Sequence, residues 1–115
     1  MKRNAILLMG IFSAHLASAQ LFSDNFDNYA LGSYIGPQSN NWTTWSGTQG
    51  GAEDVTTTNN QAASAPHSVY FSSTSANGGP QDVVLTFGQL YNSGIFTLSA
   101  DFYVNSGKGA YYNIQ

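Results

Sequence analysis

Cysteine is absent from all 115 residues, so no disulfide can staple this chain. Positive charge is nearly absent too. Lys2, Arg3 and Lys108 are the only lysines and arginines, and two of them sit at the extreme N-terminus. Long apolar runs are missing apart from residues 5–16, which follow that basic pair and lead to the small residues Ala17, Ser18 and Ala19. Basic start, apolar run and small-residue site together read as a secretory signal peptide cleaved before Gln20. The run falls short of the roughly 20 residues a membrane span needs. No Cys follows it, which excludes lipid attachment through a cleavage-site Cys. The expectation is a leader at 1–19 and a secreted or cell-surface domain at 20–115, with no membrane span after cleavage.

Without the leader, Lys108 faces Asp24, Asp27, Glu53, Asp54, Asp82 and Asp101. One base against six acids gives a net charge of −5 with His neutral. Binding to a polyanion depends on Lys and Arg displacing counterions, so nucleic-acid and anionic-membrane binding are excluded. A cysteine- or histidine-based zinc site is excluded by count, because His67 is the only histidine after the leader. Sustained helical periodicity with caps is missing as well.

What is present is β patterning. Residues 94–104 alternate most clearly: Phe96, Leu98, Ala100, Phe102 and Val104 on one side, Thr97, Ser99, Asp101 and Tyr103 on the other. Such alternation is expected of a strand with one buried and one wet face. Asn, Ser and Gly bound it at 92–94 and 105–109. Further strands are expected at 21–29, ending in a turn, and at 41–46, 53–58, 68–72, 82–87 and 110–114. Val69 and Phe71 are expected to face inward in the fourth of these, and Val83, Leu85 and Phe87 to share one face in the fifth. The central strand would pair with 82–87 on one side and 110–114 on the other. Short strands between Gly/Ser/Asn turns predict an antiparallel sandwich or barrel. Residues 114–115 fall inside an apparent strand, so the chain reads as the N-terminal part of a longer sandwich with further domains beyond Gln115. A complete small sandwich is the alternative.

Several residues could carry chemistry. Asp24 and Asp27 flank a bend with Asn25 between them, and hard oxygens so placed suit a structural Ca²⁺. Asp and Asn are also ordinary turn formers. Trp42, Trp45, Tyr34, Tyr103, Tyr111 and Tyr112 are candidates for stacking on the apolar faces of sugar rings, with Trp42, Trp45, Tyr103 and Tyr111 foremost. The two tryptophans are three apart, which places them on opposite faces of a straight strand, one in the core and one exposed. Glycoside cleavage uses two carboxylates about 5–10 Å apart. Glu53 and Asp54 are neighbours on opposite faces and read as solvated loop carboxylates. No G-x-S-x-G elbow is present, and His67 reads as a loop residue. No catalytic residue emerges, which leaves the question of enzymatic activity open. Asn41-Trp42-Thr43 matches a glycosylation sequon, a pattern common by chance.

The opening Phe22-Ser-Asp-Asn-Phe26-Asp27-Asn-Tyr29-Ala-Leu-Gly32-Ser33, then Asn41-Trp42-Thr-Thr-Trp45, then Ser68-Val69-Tyr70-Phe71, then the segment from Val83 to Phe102, resembles the N-terminal portion of concanavalin A-like lectin/glucanase domains. These are jelly-roll sandwiches of many secreted bacterial proteins. The chain is similar in particular to surface proteins of gliding-type Gram-negative bacteria, which often carry a C-terminal sorting tail. The resemblance implies an all-β, antiparallel jelly-roll fold and a structural calcium. Its members include glucanases, lyases, sugar-binding modules and adhesive domains, so the fold does not choose a function. The Glu-x-Asp-x-(x)-Glu strand of the glucanases is absent from these 115 residues. The expected function is a non-catalytic carbohydrate-binding or adhesive module whose partner is a polysaccharide or glycan. The alternatives are the N-terminal fragment of a glycoside hydrolase or polysaccharide lyase, and a structural spacer of a surface protein.

Overall fold

A computed structural model describes residues 20–115; the leader expected at 1–19 lies outside them. The described residues hold four short strands and one 3-10 turn: the turn at Gly36–Gln38, β1 at Trp42–Thr44, β2 at Thr56–Thr58, β3 at Ser68–Tyr70 and β4 at Val83–Leu85. Threonine and valine dominate the strands, as expected for β-branched side chains that fit a pleated surface. Pro37 lies in the first turn of the 3-10 segment, where a missing N–H costs nothing. Among the described residues, no helix is long and apolar enough to cross a membrane.

Pairing is antiparallel and nested. β2 and β3 form the inner pair, with Thr56 opposite Tyr70, Thr57 opposite Val69 and Thr58 opposite Ser68. β1 and β4 form the outer pair, with Trp42 opposite Leu85 and Thr44 opposite Val83. Two further backbone bonds extend the outer pair, Trp45 N–H to the Asp82 carbonyl at 3.0 Å and Thr86 N–H to the Asn41 carbonyl at 2.9 Å. On the free edge of β2 a third segment is added. Gly32 and Ile35 donate to Thr57 and Val55, Thr57 donates to Ser33, and Tyr34 bridges Thr56. The two pairs are joined where Asp82 N–H donates to the Glu53 carbonyl at 2.9 Å.

Only Ile35 and Val55 are fully buried apolar side chains among the described residues. Burying two such side chains is worth about 3–6 kcal/mol, a small core. Thr44, Asp54 and Thr57 are buried with them. Each meets a partner: the Thr44 hydroxyl donates to the Thr48 carbonyl, and the Thr57 hydroxyl to the Ala30 carbonyl. Asp54 accepts from three backbone amides, Gly36 at 3.2 Å, Gly50 at 2.9 Å and Val55 at 2.8 Å. The reading of Asp54 as a solvated loop carboxylate is thereby corrected; it is 1% exposed. Glu53, its neighbour, turns the other way and accepts from Ser46 N–H at 3.0 Å.

The segments expected as strands at 41–46, 53–58, 68–72 and 82–87 each contain one. Three other expectations are corrected. Residues 21–29 form a bend instead of a strand, because their side chains compete for the backbone donors, as described below. Residues 94–104 and 110–114 form no strand, and all of them are exposed. Alternation marks which side of a strand would be buried, but the ladder needs a partner whose N–H and C=O groups face it. Side chains still meet where the ladders were expected. Phe87 packs edge-on against Phe96 at 5.3 Å, and Phe102 stacks on Tyr112 at 5.6 Å. The turn at 105–108 closes with Lys108 N–H on the Asn105 carbonyl, and Gly107 supplies its positive φ of 73°. Phe71, expected inward, is half exposed because β3 ends at Tyr70. Val83, Leu85 and Phe87 are half-buried, but so is Val84 between them, so this short strand separates its faces poorly.

One glycine is fixed by the buried carboxylate. A Cβ on Gly36 would sit 2.7 Å from an Asp54 oxygen and 2.9 Å from the Gln49 side chain. Gly36→Ala should therefore lower stability in urea unfolding by about 1–3 kcal/mol, the range for overpacking a tight site. Alanine at Gly51, where a Cβ meets nothing within 4 Å, should change it by less than about 0.5 kcal/mol.

Candidate functional site

Residues 24–29 form a bend built by their own side chains. Asp24 Oδ1 accepts from Phe26 N–H at 2.8 Å, and Asn25 Oδ1 from Asp27 N–H at 3.3 Å. Phe26 is held at φ 64°, unusual for a residue with a Cβ. Its ring packs against both Tyr29 and Trp42, at 6.0 and 5.8 Å, and Phe22 meets Trp42 edge-on at 6.2 Å. Asp24 Oδ2 accepts from the Tyr29 hydroxyl at 2.6 Å and from the Trp42 indole N–H at 3.0 Å. One carboxylate thus ties the bend to the start of β1, and Trp42 lies inside an aromatic box.

Asp27 also faces donors, His67 N–H at 3.0 Å and the Asn25 amide at 2.6 Å. Every carboxylate oxygen of Asp24 and Asp27 therefore meets an N–H or O–H hydrogen. A calcium ion collects six to eight oxygens at 2.3–2.6 Å, so the four carboxylate oxygens of Asp24 and Asp27 could supply only part of its shell. Among the described residues, no group of three or more His, Cys, Asp or Glu side chains is placed to hold a metal ion. His67, read as a loop residue, lies outside the strands, and its Nδ1 is enclosed without a partner.

The two tryptophans separate as expected, Trp42 half-buried in the box and Trp45 65% exposed. Trp45 follows β1, and its N–H is fixed to the Asp82 carbonyl. Glu53 is anchored next door on Ser46. Ser46 N–H, the largest influence, and then the Ser46 hydroxyl hold the Glu53 carboxyl below its ordinary value. A lowered value means stabilisation that is present above the ordinary carboxylate pKa and lost as pH falls through the lowered one. Tyr103 and Tyr111, at 67% and 86% exposure, lie on the unpaired C-terminal segment. Neither ring, nor that of Trp45, pairs with another aromatic ring among the described residues. The four foremost aromatic candidates are thus not assembled into one platform.

A shallow groove lies elsewhere, on the β2–β3 pair. It encloses about 240 Å³ and is lined by Tyr34, Asp54, Thr56, Ser72, Ser73 and Gln81 among others. Gln81 ties its sides together. The side-chain oxygen accepts from Ser72 N–H at 2.6 Å and Ser73 N–H at 2.8 Å, while the amide donates to the Asp54 carbonyl at 3.2 Å. The sequence reading did not find this groove, because it depends on residues up to 47 positions apart meeting across strands.

No family model, no curated protein and no solved structure matches the chain.

Burial, first, and the Asp24 carboxylate that accepts its proton, second, push the Tyr29 phenol above its ordinary value. The corresponding stabilisation is present below pH ~10 and is lost as pH rises through the raised value, when a phenolate would face Asp24. Urea midpoints of the wild type should fall between pH 9 and pH 11 by more than those of Tyr29→Phe. For the metal, calcium held by Asp24 and Asp27 should raise the thermal midpoint in millimolar CaCl₂ over that in chelator, and coincident midpoints would remove it.

Proposed function

We propose that this chain is an exported carbohydrate-binding or adhesive module of the jelly-roll sandwich kind, working at the cell surface. The reading rests on Trp45. A large indole stands in water at the end of β1, its backbone pinned to Asp82, while the companion Trp42 takes the structural position in the aromatic box. An exposed indole on a held backbone is a large contact surface with only two side-chain torsions to freeze on binding. Pyranose rings present C–H faces that stack on such a surface, and the anchored Glu53 carboxylate offers an acceptor for hydroxyls beside it.

The sandwich part of the proposal draws on the nested pairing. β1 with β4 around β2 with β3 is the pattern of a long hairpin folded over on itself, as a jelly roll requires. The ring contacts of Phe87 with Phe96 and of Phe102 with Tyr112 support this reading, since they join segments that would be neighbouring ladders of such a roll. Export rests on the leader pattern of 1–19.

Affinity electrophoresis of the full chain in gels containing neutral polysaccharides tests the reading. Trp45→Ala should weaken retardation by about tenfold, the effect of losing ~1.4 kcal/mol of contact, with an unchanged thermal midpoint. Trp42→Ala should instead lower stability by about 3 kcal/mol. Absence of retardation by any polysaccharide would favour a spacer role.

A further inference from the structure

A row of three side chains crosses the inner sheet. Tyr34 bridges Thr56 on one side of β2, and Tyr70 pairs with Thr56 on the other. Residues directly opposite one another in antiparallel strands project from the same face. Neighbouring strands lie about 4.8 Å apart, so the backbones of the two tyrosines stand roughly 10 Å from each other with Thr56 between them. The other face is the core: Ile35, Val55 and Thr57, next in sequence to Tyr34 and Thr56, are all buried. Tyr34 and Tyr70 are 39% and 47% exposed. The sheet thus carries its largest aromatics of this region on the solvent side, beside the groove that Gln81 lines.

The chemistry of that surface is specific. Tyrosine offers a flat apolar face with a hydroxyl at its tip, and it binds with few rotatable bonds to freeze. Between the rings lies a threonine hydroxyl, and beyond it the Ser72 and Ser73 segment, whose backbone Gln81 holds in place. Two amphipathic rings flanking a line of hydroxyls match a ligand that alternates apolar C–H faces with hydroxyls. The charge narrows the class. Asp54 lines the groove, Glu53 and Asp82 are joined to each other through their backbones close by, and Lys108 is the only lysine or arginine among the described residues. A negative field repels uronic or sulfated glycans and leaves neutral ones able to donate hydroxyls.

The geometry points to the Tyr34–Thr56–Tyr70 face as a binding subsite for a neutral polysaccharide, separate from Trp45. This inference rests on the carbohydrate-binding reading and adds a second place and a ligand class to it. The bridge to β2 holds Tyr34 and β3 holds Tyr70, so the subsite is built before the ligand arrives.

The test uses the full chain, electrophoresed through a soluble neutral β-glucan, a neutral galactomannan and polygalacturonate, with thermal midpoints measured alongside. Tyr34→Ala and Tyr70→Ala should each weaken binding to at least one neutral polymer by fivefold or more, and Tyr70→Phe should retain it. Polygalacturonate should not retard the wild type. Because Tyr34 is the less exposed, a lowered midpoint in Tyr34→Ala transfers the decision to Tyr70→Ala. Wild-type binding that Trp45→Ala abolishes and both tyrosine variants retain would overturn the subsite and leave the function standing. Binding to polygalacturonate alone would overturn the ligand class. No binding to any of the three polymers would remove the carbohydrate reading together with the subsite.

Discussion

A single buried carboxylate holds together segments that the small core could not fix alone. Asp54 gathers the amides of Gly36, Gly50 and Val55, which belong to the 3-10 turn, the loop after β1 and the approach to β2. A carboxylate removed from water loses several kcal/mol of hydration, which only good hydrogen bonds can offset. Here the offset comes from backbone dipoles, since the only lysine or arginine among the described residues is the exposed Lys108. Hydrogen bonds to a charged acceptor contribute about 1.5–3 kcal/mol each, comparable with one buried aliphatic side chain. With Ile35 and Val55 as the only fully buried apolar residues described, that contribution decides where the loops lie.

The same residue connects the fold to its surface. The Asp54 side chain points to the turn at Gly36, while its carbonyl receives the Gln81 amide. Gln81 in turn holds Ser72 and Ser73 after β3, and the next residue, Asp82, joins Glu53 and Trp45. The groove and the exposed tryptophan are therefore positioned from one short stretch, 53–54 against 81–82. A second carboxylate, Asp24, does the equivalent for the N-terminal bend by binding Tyr29 and Trp42. Acidic residues that look like surface charge in the sequence are the anchors of the polar framework.

The contrast between what could and could not be read from the sequence follows the range of the interactions. β-prone runs around Trp42, Thr56, Val69 and Val84 were legible because side-chain type and turn residues act locally. The separation of Trp42 from Trp45 was legible for the same reason, through a spacing of three. The clearest alternation, at 96–104, did not become a strand, because pairing is a property of two segments and the pattern belongs to one. Burial of Asp54 was invisible because Gly36 and Gly50 meet it only after folding, and the adjacency of Glu53 suggested a solvated pair. The row of Tyr34, Thr56 and Tyr70 needs the strand register, which no local pattern specifies. Tyr70 accordingly escaped the list of aromatic candidates.

If Asp54 is the organising contact, the amides it binds should open only when the whole framework opens. Native-state hydrogen exchange measured residue by residue tests this directly. Gly36, Gly50 and Val55 amides should be among the slowest in the chain and share one opening free energy, although Gly50 lies in a loop. In Asp54→Ala all three should become fast together. Exchange of Gly36 and Gly50 at ordinary loop rates in the wild type, while β2 and β3 remain protected, would contradict the account.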